Sequence, residues 1–163
     1  RALGRTASGV RGINIDDDDE VIGMIAYDPT AEDAQAHSLL VVSEHGYGKR
    51  SDFDEYRKTN RGGKGVKTLN ITEKTGELVA MKNVTDENDL MIINRSGLTI
   101  RMAVADIKVA GRATQGVRLI NIKDGDSIAA ISAVNKTEED VPQQPVEGAA
   151  EDQASEPQNQ INE

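Results

Sequence analysis

With 163 residues, 28 acidic against 19 basic side chains and a formal net charge of −9, the chain can build one sizeable core, though not over its whole length. The absence of cysteine and the presence of only two histidines, His37 and His45, exclude a disulfide framework or a thiolate metal site and argue against a histidine-based one. No apolar run approaches the roughly 18 residues of a membrane span and nothing at the start reads as a signal, so a soluble chain is expected; its first residue, Arg rather than Met, points to a piece of something longer.

The chain opens on GRTASGVRGINI, Gly4 to Ile15, followed by an acidic stretch from Asp16 to Glu20 and the short run VIGMI from Val21. A polar linker, PTAEDAQAHS, occupies Pro29 to Ser38. Next comes LLVVSEHGYGKR, Leu39 to Arg50, and then NRGGKGVKTLNI, Asn60 to Ile71, which repeats the opening 56 residues later and leads through Thr72 to Glu77 into LVAMK from Leu78. LMIINRSGLTIR, Leu90 to Arg101, matches Leu39 to Arg50 at an offset of 51, and GRATQGVRLINI, Gly111 to Ile122, matches Asn60 to Ile71 at the same offset. Lys123 to Asp126 and IAAIS from Ile128 complete that unit. The motif [GN]-R-x-x-x-G-V-[KR]-x-[ILV]-N-[IL] thus occurs three times.

Every apolar segment is short, rich in Val, Ile and Leu, and bounded by Gly, Asn, Asp or Ser, with turns marked by HGYG, RSG, KTG and KDGD. These are strand and turn signals without helical periodicity. About four strands per period of 51 is the arithmetic of a propeller-type blade. The predicted organisation is all-β: the rear half of a blade over 1–28, complete blades over 39–84 and 90–134, and a disordered acidic tail over 136–163. Such an array cannot close by itself, and the remaining blades are expected upstream in the same parent. The tail holds three of the four prolines and eight of the acids with no base beyond Lys136, which leaves the body near neutrality at −1.

The chemistry-bearing candidates are cations that recur once per unit: Arg5, Arg61 and Arg112; Arg11, Lys67 and Arg118; and Arg50 and Arg101, with Lys49 beside Arg50. Placed at equivalent positions they form a basic rim suited to the regularly spaced phosphates of duplex DNA. The bland reading has the arginines closing turns or pairing with Asp52, Asp54 or Asp106. In the middle unit Arg61, Gly62, Gly63, Lys64 and Gly65 make a glycine-rich basic turn that is no Walker loop, because Gly65, and not a Ser or Thr, follows Lys64. Asp16 to Glu20 lacks the ligand spacing of a calcium loop. Tyr47, Phe53 and Tyr56 read as packing residues before base-stacking ones, and no nucleophile, base and orienter come together, so no catalytic group is assigned.

GRTASGVRGINI, HGYGKRSDFDEY, RGGKGVK and VAGRATQGVRLINI together resemble the C-terminal domain of the DNA gyrase A subunit, over essentially Arg1 to Val134. The resemblance implies a six-bladed β-pinwheel whose basic rim wraps double-stranded DNA, its partners being the rest of gyrase A together with gyrase B in a bacterial cytoplasmic, nucleoid-associated heterotetramer. It implies no cofactor in this segment, the ATP and Mg2+ of the holoenzyme being held elsewhere. The family's box reads Q-R-R-G-G-K-G; Arg61 to Gly65 reproduces its RGGKG, while Thr59 and Asn60 replace Gln and Arg, so the segment is taken as a box-like rim turn. The related topoisomerase IV domain, which shares the blade but wraps weakly, and a propeller that binds protein partners are the alternatives. The acidic tail is expected to compete with DNA for the rim.

Overall fold

An apolar run becomes a strand only where a neighbouring ladder satisfies its backbone N–H and C=O groups. In the computed structural model, which describes residues 2–136, seven runs find one: β1 (Ser38–Ser43), β2 (Tyr47–Ser51), β3 (Leu78–Val84), β4 (Asn88–Asn94), β5 (Thr99–Ala103), β6 (Val117–Arg118) and β7 (Ile128–Asn135). The first sheet has the order β3-β1-β2-β6 and the second β5-β4-β7, and every strand pair is antiparallel. Three short 3-10 turns, Ala34–Ala36, Phe53–Glu55 and Val104–Asp106, complete the regular structure. This is the all-β, blade-type architecture that the repeat predicts. The acidic tail, apart from Lys136, lies outside the described residues.

The two sheets correspond to the two period-related hairpins. Leu39↔Ser51 to Val42↔Gly48 and Asp89↔Ala103 to Ile93↔Thr99 are their registers, and each hairpin turns through a glycine with positive φ, Gly46 at 79° and Gly97 at 87°. Both sheets carry a register shift at the matching place, between Val42 and Ser43 and between Ile93 and Asn94.

Sheet one takes its outer strand from the following unit. β6 belongs to the third motif yet pairs with β2 through Tyr47↔Arg118 and Gly48↔Val117. The approach is close enough to demand glycine on both sides: a Cβ on Gly48 would stand 2.5 Å from the Leu119 Cδ1, and one on Gly116 2.5 Å from the Gly48 oxygen. The chain reaches this position along β2, held by Ala110 N–H donating to the Arg50 carbonyl (2.8 Å) and the Ser51 hydroxyl donating to the Ala110 carbonyl (2.8 Å). Lys49, fully buried, donates from Nζ to the carbonyls of Gly111 (2.6 Å) and Arg112 (2.5 Å). Burial pushes its ammonium below the ordinary lysine value, against the raising effect of Glu55.

The main core lies between the sheets. Leu40, Val42 and Val84 from the first meet Leu90, Ile92 and Ile131 from the second, with Val104, Ile107, Ile120 and Ile128 filling the space. Leu39 and Val41 point the other way, into a smaller cluster with Leu69 that Ile25, Phe53, Tyr56, Leu78 and Met81 pack against. Burial of β1 on both faces explains why its sequence is a continuous apolar run and not an alternating one. Across β4 the alternation is visible, Leu90 and Ile92 being buried and Ile93 38% exposed.

The opening segment departs from expectation in one respect. Val21 to Ile25 forms no strand, because among the described residues no ladder runs beside it; Val21 and Met24 are exposed. The linker is more ordered than its polarity suggests, since Ala34 is buried and His37 joins Asp33 (Nε2 to Oδ2, 3.2 Å) to Asn83 on β3 (Nδ1 to Oδ1, 2.9 Å).

Turns at the far end of the second sheet are joined by Asp126. Its carboxylate accepts from Asn94 Nδ2 (2.6 Å) and from the N–H groups of Ser127 (2.8 Å) and Ser96 (3.3 Å). The Ser96 side chain, followed by these backbone donors, holds the carboxyl below the usual 3.8 in spite of opposing desolvation. A depressed folded-state pKa contributes stability above the unfolded value and loses it as pH falls. Asp126→Asn should therefore lower the melting temperature at pH 7, and in parallel acid titrations the gap to the wild type should close below pH 3.8.

Gly9 and Gly116 occupy the same motif position with the same φ of 80°, but nothing lies within 4 Å of a Cβ on Gly9. Gly9→Ala should cost about 1–2 kcal/mol from left-handed strain alone, whereas Gly116→Ala, which adds the clash with Gly48, should cost distinctly more. Denaturant titration of the two variants checks the order.

Candidate nucleic-acid interface

The three motifs meet in space. With motif positions numbered 1 to 12, position 6 is a glycine at φ 80°, 78° and 80° in Gly9, Gly65 and Gly116, so the backbone turns alike in each. The rear of one motif then joins the front of the next. Asn14 N–H donates to the Gly63 carbonyl (2.9 Å), and Asn70 N–H donates to the Thr114 carbonyl (3.1 Å); in both cases position 11 meets position 4 of the following motif. Gly62 N–H adds a bond to the Gly12 carbonyl (2.8 Å) at the first joint, and Arg112 Nη1 donates to the Lys67 carbonyl at the second. The motifs therefore lie end to end.

The box-like turn is one of these joints. Gly62 and Gly63 bring the backbone close to Gly12 and Asn14 of the first motif, while Arg61 and Lys64 remain exposed. Arg5, Arg11, Lys67 and Arg118 are exposed as well, and Arg112 is half-buried at the second joint. Across the 36 residues of the three motifs there are seven cations and not one Asp or Glu. The acids of the near-neutral body lie outside these segments in sequence; in space Glu55 lines the cleft at the second joint, and Glu44, Glu73, Asp124 and Asp126 share the hollow beside Arg118.

Lys49 and Arg50 do not join this set, and the expectation that they contact DNA is corrected. Lys49 is spent on the carbonyls of Gly111 and Arg112. Arg50, 6% exposed, donates from Nε to the Ile107 carbonyl (2.8 Å) and from Nη1 to Asp86 (2.5 Å). Both hold the connection that carries the third motif across β2. Arg101, one period after Arg50, lies on β5 and pairs with Asp89 (2.7 Å), which Lys136 also approaches (3.7 Å). Among the described residues the aspartates engaged by Arg50 and Arg101 are thus Asp86 and Asp89 rather than Asp52, Asp54 or Asp106.

Each position-8 cation makes one further contact. Arg11 Nη1, Lys67 Nζ and Arg118 Nη1 donate to the side-chain oxygens of Asn14, Asn70 and Asn121 at 3.3, 2.9 and 3.1 Å. Arg118 also donates through Nε and Nη2 to the Tyr47 hydroxyl (3.2 and 2.7 Å), and its guanidinium lies 5.2 Å from the ring centroid. That hydrogen bond holds the Tyr47 phenol below the ordinary tyrosine value, with Lys74, 5.4 Å from the same ring, acting in the same sense.

Sequence reasoning missed Arg57, which lines a cleft of about 410 Å3 with Glu55, Gly65, Val66, Lys67 and Arg112 at the second joint. It missed Lys74 and Lys123, which share a larger polar hollow with Arg95 and Arg118. Lys74 and Lys123 do not recur in all three units, so periodicity carries no signal for them. Arg57 does, standing three residues before its motif as Arg1 and Lys108 stand before theirs, and it was missed because it lies outside the repeated segment. Phe53 and Tyr56 pack in the smaller cluster, and Tyr27 stacks on Phe53 at 4.0 Å and 10°. Among the described residues no group of three or more His, Cys, Asp or Glu side chains could hold a metal ion, and no helix is long and apolar enough to cross a membrane.

Comparison with known proteins agrees with this geometry. The family model described as DNA gyrase C-terminal domain, beta-propeller, matches residues 1–28, 37–85 and 88–135. The DNA gyrase A protein of Staphylococcus epidermidis is 47% identical over 139 residues, covering 85% of this chain and 15% of that protein. Its Staphylococcus aureus counterpart is 47% identical over 140 residues, covering 86% and 15%. The chain thus spans about 15% of the length of these relatives. Among solved structures, a DNA gyrase A C-terminal domain superposes with a TM-score of 0.56 at 25% identity, over 59% of this chain and 33% of that one. The C-terminal domain of DNA topoisomerase IV gives 0.65 at 16% identity, over 77% and 38%, a likeness of fold. With the family model matching most of its length and nearly half of its aligned residues identical to those of the staphylococcal gyrase A proteins, the chain belongs to the DNA gyrase C-terminal domain family.

Proposed function

We propose that this chain binds and wraps double-stranded DNA along the edge formed by its three motifs, with Arg5, Arg11, Arg61, Lys64, Lys67, Arg112 and Arg118 as the phosphate contacts. The observation that carries the reading is the end-to-end joining of segments that together hold seven cations and no acid. Duplex DNA presents one charge per roughly 1.7 Å of axis, so a line of cations is used efficiently only if it follows a backbone. No single contact suffices to bend DNA, because curving 20–30 base pairs by 40–90° costs on the order of 1–6 kcal/mol. Several contacts have to act together.

In the parent protein the wrapped segment is delivered to the remainder of gyrase A, which acts with gyrase B in the bacterial cytoplasm and on the nucleoid. Negative supercoiling then draws on ATP and Mg2+ held by other domains, and this segment supplies no catalytic group. Identity to gyrase A over 85% of the chain favours this parent over topoisomerase IV, whose likeness is of fold.

Two measurements test the reading. The logarithm of the binding constant should fall linearly with the logarithm of salt concentration, with a slope near −6 if all seven cations engage, and each change to Gln among them should reduce the slope by about 0.9. An affinity indifferent to salt would overturn DNA binding by this edge. Ligation of nicked circular DNA in the presence of the chain should shift the linking number, and binding without any shift would mean contact without wrapping.

A further inference from the structure

The motif asparagine serves two functions at once. Its backbone N–H stitches one motif to the next, from Asn14 to Gly63 and from Asn70 to Thr114. Its side-chain oxygen accepts from the cation three residues earlier, in all three motifs. The oxygen is neutral, so it restrains the cation without cancelling its charge. An aspartate at the same place would form an ion pair with it and compete with a phosphate. Free Lys and Arg side chains lose substantial rotamer freedom when they are immobilised on a partner; a cation already held by a neutral acceptor has less to lose.

We infer that Asn14, Asn70 and Asn121 are positioning residues for DNA binding, pre-orienting Arg11, Lys67 and Arg118 along the motif edge and tying their spacing to the repeat itself. Each cation keeps further N–H groups for a phosphate while one is engaged with its asparagine. The inference rests on the proposed DNA binding, and it goes beyond it in assigning a role to residues that contact no DNA themselves.

A double-mutant cycle on the full chain distinguishes positioning from simple structural support, with affinity for a linear duplex as the readout. Asn70→Ala should weaken binding about threefold and leave the salt slope unchanged, because Lys67 is still present to displace a counterion. In a Lys67→Gln background the same change should have no effect. Asn70→Asp should weaken binding more than Asn70→Ala and lower the slope, as neutralising the cation would. The Asn14 and Arg11 pair should behave in the same way, whereas Asn121→Ala should have a smaller effect, because Arg118 is also held by the Tyr47 hydroxyl.

An equal loss from Asn70→Ala with Lys67 present and with Lys67→Gln, which is also what a folding defect would give, overturns the inference. So does no loss in either background. If Lys67→Gln, Arg11→Gln and Arg118→Gln alone leave affinity and slope untouched, it is the DNA-binding role of these cations that fails, and that result is separate from either of the others.

Discussion

A single backbone hydrogen bond, made twice in the same way, sets the geometry from which the rest follows. Asn14 to Gly63 and Asn70 to Thr114 join position 11 of one motif to position 4 of the next. Because the partners are backbone groups at equivalent places, the joint fixes register as well as proximity. Equivalent positions of the three motifs are thereby placed one structural step apart, from joint to joint. Without that joint, Arg5, Arg61 and Arg112 would be scattered charges on a nearly neutral body, each worth little in water.

The joint is supported from beneath by the way one unit lends a strand to the sheet of another. β6 lies against β2 because glycines at Gly48 and Gly116 let two backbones approach, and because Lys49 and Arg50 hold the incoming chain by its carbonyls. Burying a lysine with two carbonyl acceptors and an arginine with an aspartate is costly unless every donor is placed. No buried side-chain nitrogen or oxygen among the described residues lacks a hydrogen-bond partner. Two cations that a reading of composition assigns to the surface are thus used inside, to position the motif that carries the surface ones.

Much of this is legible in the sequence. The offset of 51 between Leu39 to Arg50 and Leu90 to Arg101 anticipates two hairpins of matching register, and Gly46 and Gly97 mark their turns. The recurrence of Arg and Lys picks out the basic edge. What cannot be read is where each strand finds its partner: periodicity reports equivalence and not contact, so it is silent on β6 crossing to the neighbouring sheet and on Val21 to Ile25 having no ladder. It also cannot separate a lysine that faces solvent from one that faces carbonyls, which is why Lys49 is expected on the rim and found inside. The asparagine at position 11 is visible in all three copies, but its role requires knowing that the chain at that point touches both its own cation and the next motif.

The direct test of a shared DNA-facing edge is site-specific photo-cross-linking to a duplex. The chain has no cysteine of its own, so a thiol-reactive photoprobe can be placed singly through Thr6→Cys, Asn60→Cys or Ala113→Cys, one in each motif, with Glu87→Cys in the turn between β3 and β4 as the control. Cross-linking to DNA from all three motif positions in the one-to-one complex, and not from position 87, is the predicted result. Cross-linking from only one motif, or from position 87 as strongly as from the motifs, would contradict a continuous DNA-facing edge.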